Sequence, residues 1–123
     1  MAKIVHFEFK ADDPEKLIAF FGDTFGWKFQ KWEGPDDYWL VDAGPEEAPG
    51  INGAMASRSE SPGGTVNIID VEDIEAAMQQ VTAAGGTVTT PKMPVPGMGW
   101  SSYFTDPDGN LWGLWQEDRT AGV

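Results

Sequence analysis

Apolar and polar residues alternate almost from the start. In Ile4-Val5-His6-Phe7-Glu8-Phe9-Lys10, Val5, Phe7 and Phe9 fall on one side and His6, Glu8 and Lys10 on the other, the period-two pattern of a strand. Asp12-Asp13-Pro14 follows as N-cap and first-turn proline. Leu17, Ile18, Phe20, Phe21 and Phe25 then recur at helical spacing up to Gly26, a residue suited to a left-handed C-cap. Strands are expected over 27–32 and 38–43, separated by Glu33-Gly34-Pro35-Asp36, and over 51–57 after the Pro/Gly-rich stretch 44–50. The first half therefore reads β-α-β-β-β.

Near Thr65 the order begins again. Residues 66–71 read as a strand, Asp73 caps a helix carrying Ile74, Ala77, Met78, Val81 and Ala84, and Gly85-Gly86 ends it. Residues 87–90, 101–105 and 111–116 complete a second β-α-β-β-β, with Asp106-Pro107-Asp108-Gly109-Asn110 as the tight turn before the last strand. A shift of sixty positions overlays Val5 on Thr65, Asp13 on Asp73, Phe21 on Val81 and Gly26 on Gly86. One domain over 1–123 is expected: a first module at about 3–57, a linker at about 58–64, a second module at about 65–118 and a flexible tail at 119–123. A sheet with one helix leaves a face uncovered, so two such modules are expected to enclose a cleft.

Composition narrows the chemistry. At 123 residues the chain suits one domain with its own core, and the absence of cysteine excludes disulfides, thiolate metal sites and thiol nucleophiles. No stretch approaches the roughly 20 apolar residues of a membrane helix, and no apolar leader segment opens the chain, so a cytoplasmic protein is expected. The formal net charge of −12 repels nucleic acid and anionic membranes and favours a cationic ligand, although acidic loop residues such as Asp36, Asp37, Glu46 and Glu47 also serve plain solubility. Nucleotide-binding glycine motifs, His-Glu-x-x-His and calcium-loop ladders are all absent.

Val5-His6-Phe7-Glu8-Phe9 with Asp12-Asp13-Pro14, Phe20-Phe21 and Phe25-Gly26-Trp27 resembles the opening of a vicinal oxygen chelate domain, of the glyoxalase, bleomycin-resistance and dioxygenase superfamily. Val71-Glu72-Asp73-Ile74, Ala83-Ala84-Gly85-Gly86 and Tyr103-Phe104-Thr105-Asp106-Pro107-Asp108-Gly109-Asn110 resemble its second module, so the resemblance spans nearly the whole chain. It implies an α+β fold of paired βαβββ modules forming a half-open barrel around a cleft, often as a homodimer. It also implies a metal held by His or Gln on the first strand of each module and by Glu on the module-ending strands.

Here the ligand set is incomplete. His6 stands at the first position, but Val66 or Asn67 stands at its counterpart, Gly113 replaces the closing Glu, and 51–55 offers only Asn52 and Met55. No metal ligands and no cofactor are therefore assigned, and a divalent metal is disfavoured. His6 and Glu8, two residues apart on one strand face, are the candidate catalytic pair for proton transfer. Trp39, Ser101, Tyr103, Gly113 and Trp115 are expected to line the cleft and bind ligand, with Gly113 widening it. A competing expectation packs Trp112 and Leu114 beneath a helix and uses Trp100 and Trp115 to plug the barrel or a dimer seam. Residues 94–100, rich in Pro and Gly, read as a mobile lid.

Three functions stay open: a binder of a small organic molecule, cationic or aromatic, in a metal-free aromatic cleft; a lyase, isomerase or dioxygenase-like enzyme using His6 and Glu8; and a protein-interaction module. The partner expectations are a small molecule and a second copy of the chain, with no nucleic acid and no membrane.

Overall fold

The computed structural model describes residues 2–58 and 64–123. Most of the expected linker, 59–63, lies outside the described residues. The chain forms two compact units, residues 6–66 and residues 67–123 together with those preceding His6. Each repeats the strand-helix-strands order, so the α+β fold of paired βαβββ modules is present.

The first module runs β1 (Lys3–Ala11), α1 (Pro14–Phe25), β2 (Lys28–Lys31), β3 (Tyr38–Asp42) and β4 (Gly53–Ser57), with sheet order β2-β3-β4-β1. The Asp13 side chain accepts the Lys16 backbone N–H, Pro14 sets the first turn, and Gly26 closes α1 at φ 73°, a conformation that glycine adopts without steric cost. The helix lays Leu17 and Ile18 on a core of Ala11, Val41 and Met55, joined by Phe7, Phe9, Trp27, Phe29 and Trp39. Aromatic rings carry much of this packing: Phe21 stacks on Trp27 with centroids 4.8 Å apart and planes 9° apart. Phe7 lies across Gly53, where any Cβ would come within 2.6 Å of its ring, so glycine is required for β1 and β4 to pair in parallel here.

The second module runs β5 (Val66–Asp70), α2 (Ile74–Ala83), β6 (Thr87–Val88), β7 (Met93–Val95), β8 (Gly99–Thr105) and β9 (Leu111–Glu117), in the order β5-β9-β8-β6 with β7 also paired to β8. Asp73 caps α2 through the Ala76 N–H, as the sequence predicts. Ile74 is fully buried and its N–H donates to Gln116 Oε1 at 2.9 Å, which fixes the start of α2 on the face of β9 that also carries buried Leu114. In the 106–110 turn the Asp106 carboxylate accepts from the backbone N–H groups of Asp108 and Asn110, from Asn110 Nδ2 and from Trp112 Nε1.

Two expectations change. The 94–100 segment is not a loose loop: Met93, Pro94 and Val95 pair with Ser101, Trp100 and Gly99 in a hairpin. Residues 119–123 do not hang free either. Ala121 is fully buried, its carbonyl accepts the Gly97 N–H at 2.9 Å, and the Asp118 N–H donates to Met98 at 3.0 Å. Trp100 Nε1 donates to Asp118 across the same clasp, and Lys92 Nζ sits 4.3 Å from the Trp100 ring centre.

Candidate functional site

Alternation along β1 turns Phe7 and Phe9 into the helix-covered core and His6, Glu8 and Lys10 to the other face. Glu8 pairs with Ala54 on β4, which pairs with Leu40 on β3, and Lys10 pairs with Ala56, which pairs with Tyr38. Residues in register share a face, so Tyr38 and Leu40 stand on the side of Glu8 and Lys10, over a strand bearing only alanines there.

Trp39 is a correction. It pairs with Met55 on the core side, so it belongs to the packing under α1 and not to the face of His6 and Glu8. Four consecutive apolar residues, Tyr38 to Val41, carry no alternation from which the parity could be read.

Lys10, assigned no role from the sequence, completes the row. Its Nζ lies 2.6 Å from Glu8 Oε1, with side-chain exposures of only 1% and 6%. A carboxylate and an ammonium withdrawn together from water are costly to desolvate, and their attraction roughly offsets that cost without adding stability. Half-buried His6 stands beyond Glu8 on the same strand. Burial lowers the affinity of its imidazole for a proton below the usual value, against the opposing pull of the Glu8 carboxylate. His6 is therefore neutral at physiological pH, with one ring nitrogen able to donate and the other to accept. Burial, aided by the Glu8 charge, pushes the Tyr38 phenol up, so its hydroxyl stays protonated.

On the second module, Ser101, Tyr103, Gly113 and Trp115 do share one face, being paired Ser101 with Trp115 and Tyr103 with Gly113. It is the face opposite Leu114 and Gln116. Gly113, however, opens no space. A Cβ there would collide with the Ile68 Cδ1 methyl and stand 3.3 Å from the Tyr103 ring, so Ile68 and Tyr103 already fill the place a side chain would take. Trp112 and Leu114 face the other way, Leu114 buried on the side from which Gln116 accepts the Ile74 N–H of α2. Trp115 leans over Gly99, whose Cβ would meet the indole at 2.5 Å.

The positions at which the resemblance implies metal ligands hold poor donors. Val66 is buried and apolar, Asn67 beside it is an exposed amide, Gly113 is packed over, and Met55 is fully buried among core side chains. Asn52 Oδ1 accepts the Ala43 N–H at 2.9 Å. Among the described residues no three His, Cys, Asp or Glu side chains come together. Of the resemblance's set, His6 remains, and the neighbouring carboxylate already holds an ammonium. This donor set does not fit a divalent ion. The shallow apolar depression along α2 and β6, lined by Met78, Gln79, Thr82, Ala83 and Val88, offers no ionisable group.

The fold and the row on β1 define a class of protein, and sequence comparison gives its family. The chain belongs to the Glyoxalase/Bleomycin resistance protein/Dioxygenase superfamily, whose profile matches residues 3–114. A glyoxylase-like domain-containing protein of Didymella fabae is 30% identical over 108 residues, 84% of each chain. The Mycobacterium bovis and Mycobacterium tuberculosis proteins named "Putative glyoxylase CFP32" are 27% identical over 94% of this chain, which spans about half, 46%, of their length. In structure the chain is similar to methylmalonyl-CoA epimerase from Mycobacterium tuberculosis, with a TM-score of 0.70, 15% identity, and coverage of 93% of this chain and 87% of that one. That likeness concerns the fold alone. No helix among the described residues is long and apolar enough to cross a membrane.

Proposed function

We propose that this protein binds a small organic molecule on the polar face of its first module, with His6 as the contacting group and the Glu8 carboxylate beside it. One observation carries this reading: three titratable side chains alternate along a single strand, two of them almost wholly buried as a 2.6 Å ion pair. Buried charge that contributes little stability concentrates at functional sites. On the second module, Ser101, Tyr103 and Trp115, which share a face of their own, are proposed as a separate aromatic surface for a ligand. The net charge of −12 favours the approach of a cation, and bleomycin, which gives the family part of its name, is the natural probe. A cytoplasmic location and assembly with a second copy of the chain belong to the same reading.

The test is titration with metal-free bleomycin and with a planar aromatic cation, followed by tryptophan emission. Saturable binding that weakens at least about tenfold in His6→Ala supports the reading, tenfold corresponding to about 1.4 kcal/mol. Saturation that His6→Ala leaves unchanged places the ligand elsewhere and sinks it.

A second reading, proton-transfer catalysis of a lyase or isomerase type, is favoured by the neutral imidazole next to a carboxylate. It requires His6→Ala to abolish turnover of an added substrate such as the hemithioacetal of methylglyoxal and a thiol. Turnover that survives the substitution removes it.

A further inference from the structure

We infer that Lys10 is a built-in cation that takes up the charge of Glu8 and keeps divalent metal ions away from the His6–Glu8 face, making this member of the superfamily metal-independent at that strand. The inference deepens the ligand reading above, since it says how the face is held without a metal, and it stands on three observations.

The first is the place of Lys10. It is the next residue after Glu8 on the same strand face, and its ammonium is aimed at Glu8 Oε1 at 2.6 Å, the position from which a metal ion bound to that oxygen would be displaced. An ion of charge two coordinated by Glu8 would stand within a few ångströms of a fixed positive charge, in surroundings where screening by water is weak.

The second is burial. Among the described residues, Glu8 and Lys10 are the charged residues that are buried, each 5% exposed. Lysine at a solvated strand edge would swing aside to admit a metal. Here a swing would leave the ammonium buried away from the carboxylate it is paired with, which is the expensive way to break such a pair.

The third is the rest of the donor set. A strand offering His6 and Glu8 two residues apart on one face is the beginning of a metal site, and on the same face of the neighbouring β4 the positions beside Glu8 and Lys10 hold Ala54 and Ala56 in place of donors. Lys10 and these replacements point the same way: the strand keeps its imidazole and carboxylate for hydrogen bonding and proton exchange, and a side chain supplies the positive charge.

The experiment is calorimetric titration of the intact protein with zinc and with manganese chloride, in wild type, Lys10→Gln and the double variant Glu8→Gln/Lys10→Gln, with circular dichroism as the check on folding. Glutamine keeps a donor for Glu8 while removing the charge. Wild type is expected to show no stoichiometric binding, Lys10→Gln to bind zinc at least about tenfold more tightly than wild type, and the double variant to lose that gain. Stoichiometric zinc binding by the wild type that disappears in His6→Ala overturns the inference, and so does a folded Lys10→Gln with no gain. Should Lys10→Gln fail to fold, the same titration of Lys10→Met, close to lysine in volume and, like glutamine, uncharged, takes its place, and a folded Lys10→Met with no gain overturns the inference. Because no organic molecule is used, a failure here is separate from a failure of the bleomycin titration.

Discussion

The Glu8–Lys10 pair makes a quantitative demand on stability. At 2.6 Å and an effective dielectric constant near 20 the gross attraction is about 6 kcal/mol, while withdrawing each ion from water costs several. The pair as a whole should therefore be close to neutral, and half of it should be far from neutral. Replacing Lys10 by Met leaves a buried carboxylate without its cation and is expected to cost about 3–5 kcal/mol; Glu8→Gln leaves the ammonium and should cost a similar amount. The double variant Glu8→Gln/Lys10→Met removes both charges at nearly constant volume and should lie within about 1 kcal/mol of wild type. Urea unfolding followed by tryptophan emission supplies all four corners of the cycle, and the single variants should melt on the order of 10–20 °C lower. If each single substitution costs less than about 1 kcal/mol, the pair is solvated and weak like a surface bridge, and the argument from its burial collapses.

Three further outcomes are expected of the same fold. Gly113→Glu, which restores the carboxylate the resemblance implies, should destabilise by about 1–3 kcal/mol through collision with Ile68, and the losses of Gly113→Glu and Ile68→Ala should be less than additive in thermal unfolding of the double variant. The imidazole resonances of His6, the sole histidine, should titrate below the ordinary value; since the unfolded chain then binds the proton more readily, stability falls as pH drops through about 6.5, and His6→Gln should flatten that slope. Asp106, brought down to about 2 chiefly by its bonds from Asn110, favours the fold above the ordinary carboxylate range and loses that contribution as pH falls toward 2. The melting temperatures of wild type and Asp106→Asn should therefore differ at pH 6 and converge near pH 2; a gap that persists in acid would mean the carboxylate is not its source.

Local rules carried the sequence reading wherever a residue has one physical reason to be where it is. Asp13 and Asp73 cap helices because their short carboxylates reach the free N–H groups of the first turn, and Gly26 adopts φ 73° because it lacks a Cβ. What failed depends on neighbours distant in sequence. The parity of Trp39 is decided by its register against Met55, and the Pro-rich 94–100 segment becomes a hairpin because residues from Asp118 to Ala121 fasten it. Gly113 looked like a vacancy until Ile68 and Tyr103 filled it. Lys10 was placed on the correct face by alternation, but a lysine in a strand ordinarily reads as solvated. Only the buried partner 2.6 Å away reveals its role.

The aromatic packing of the first module also says something about time. Phe7, Phe9, Phe21, Trp27 and Phe29 are close along the chain, so the contacts between β1, α1 and β2 close short loops and can form early. The parallel seam is different: Phe7 must wait for Gly53, and Lys10 for Ala56, to arrive from the far end of the module. Closure of that seam is therefore expected to come last in the module. Substitutions in the ring cluster should act mainly on the rate of folding, whereas those at Gly53 and Met55 should act mainly on the rate of unfolding.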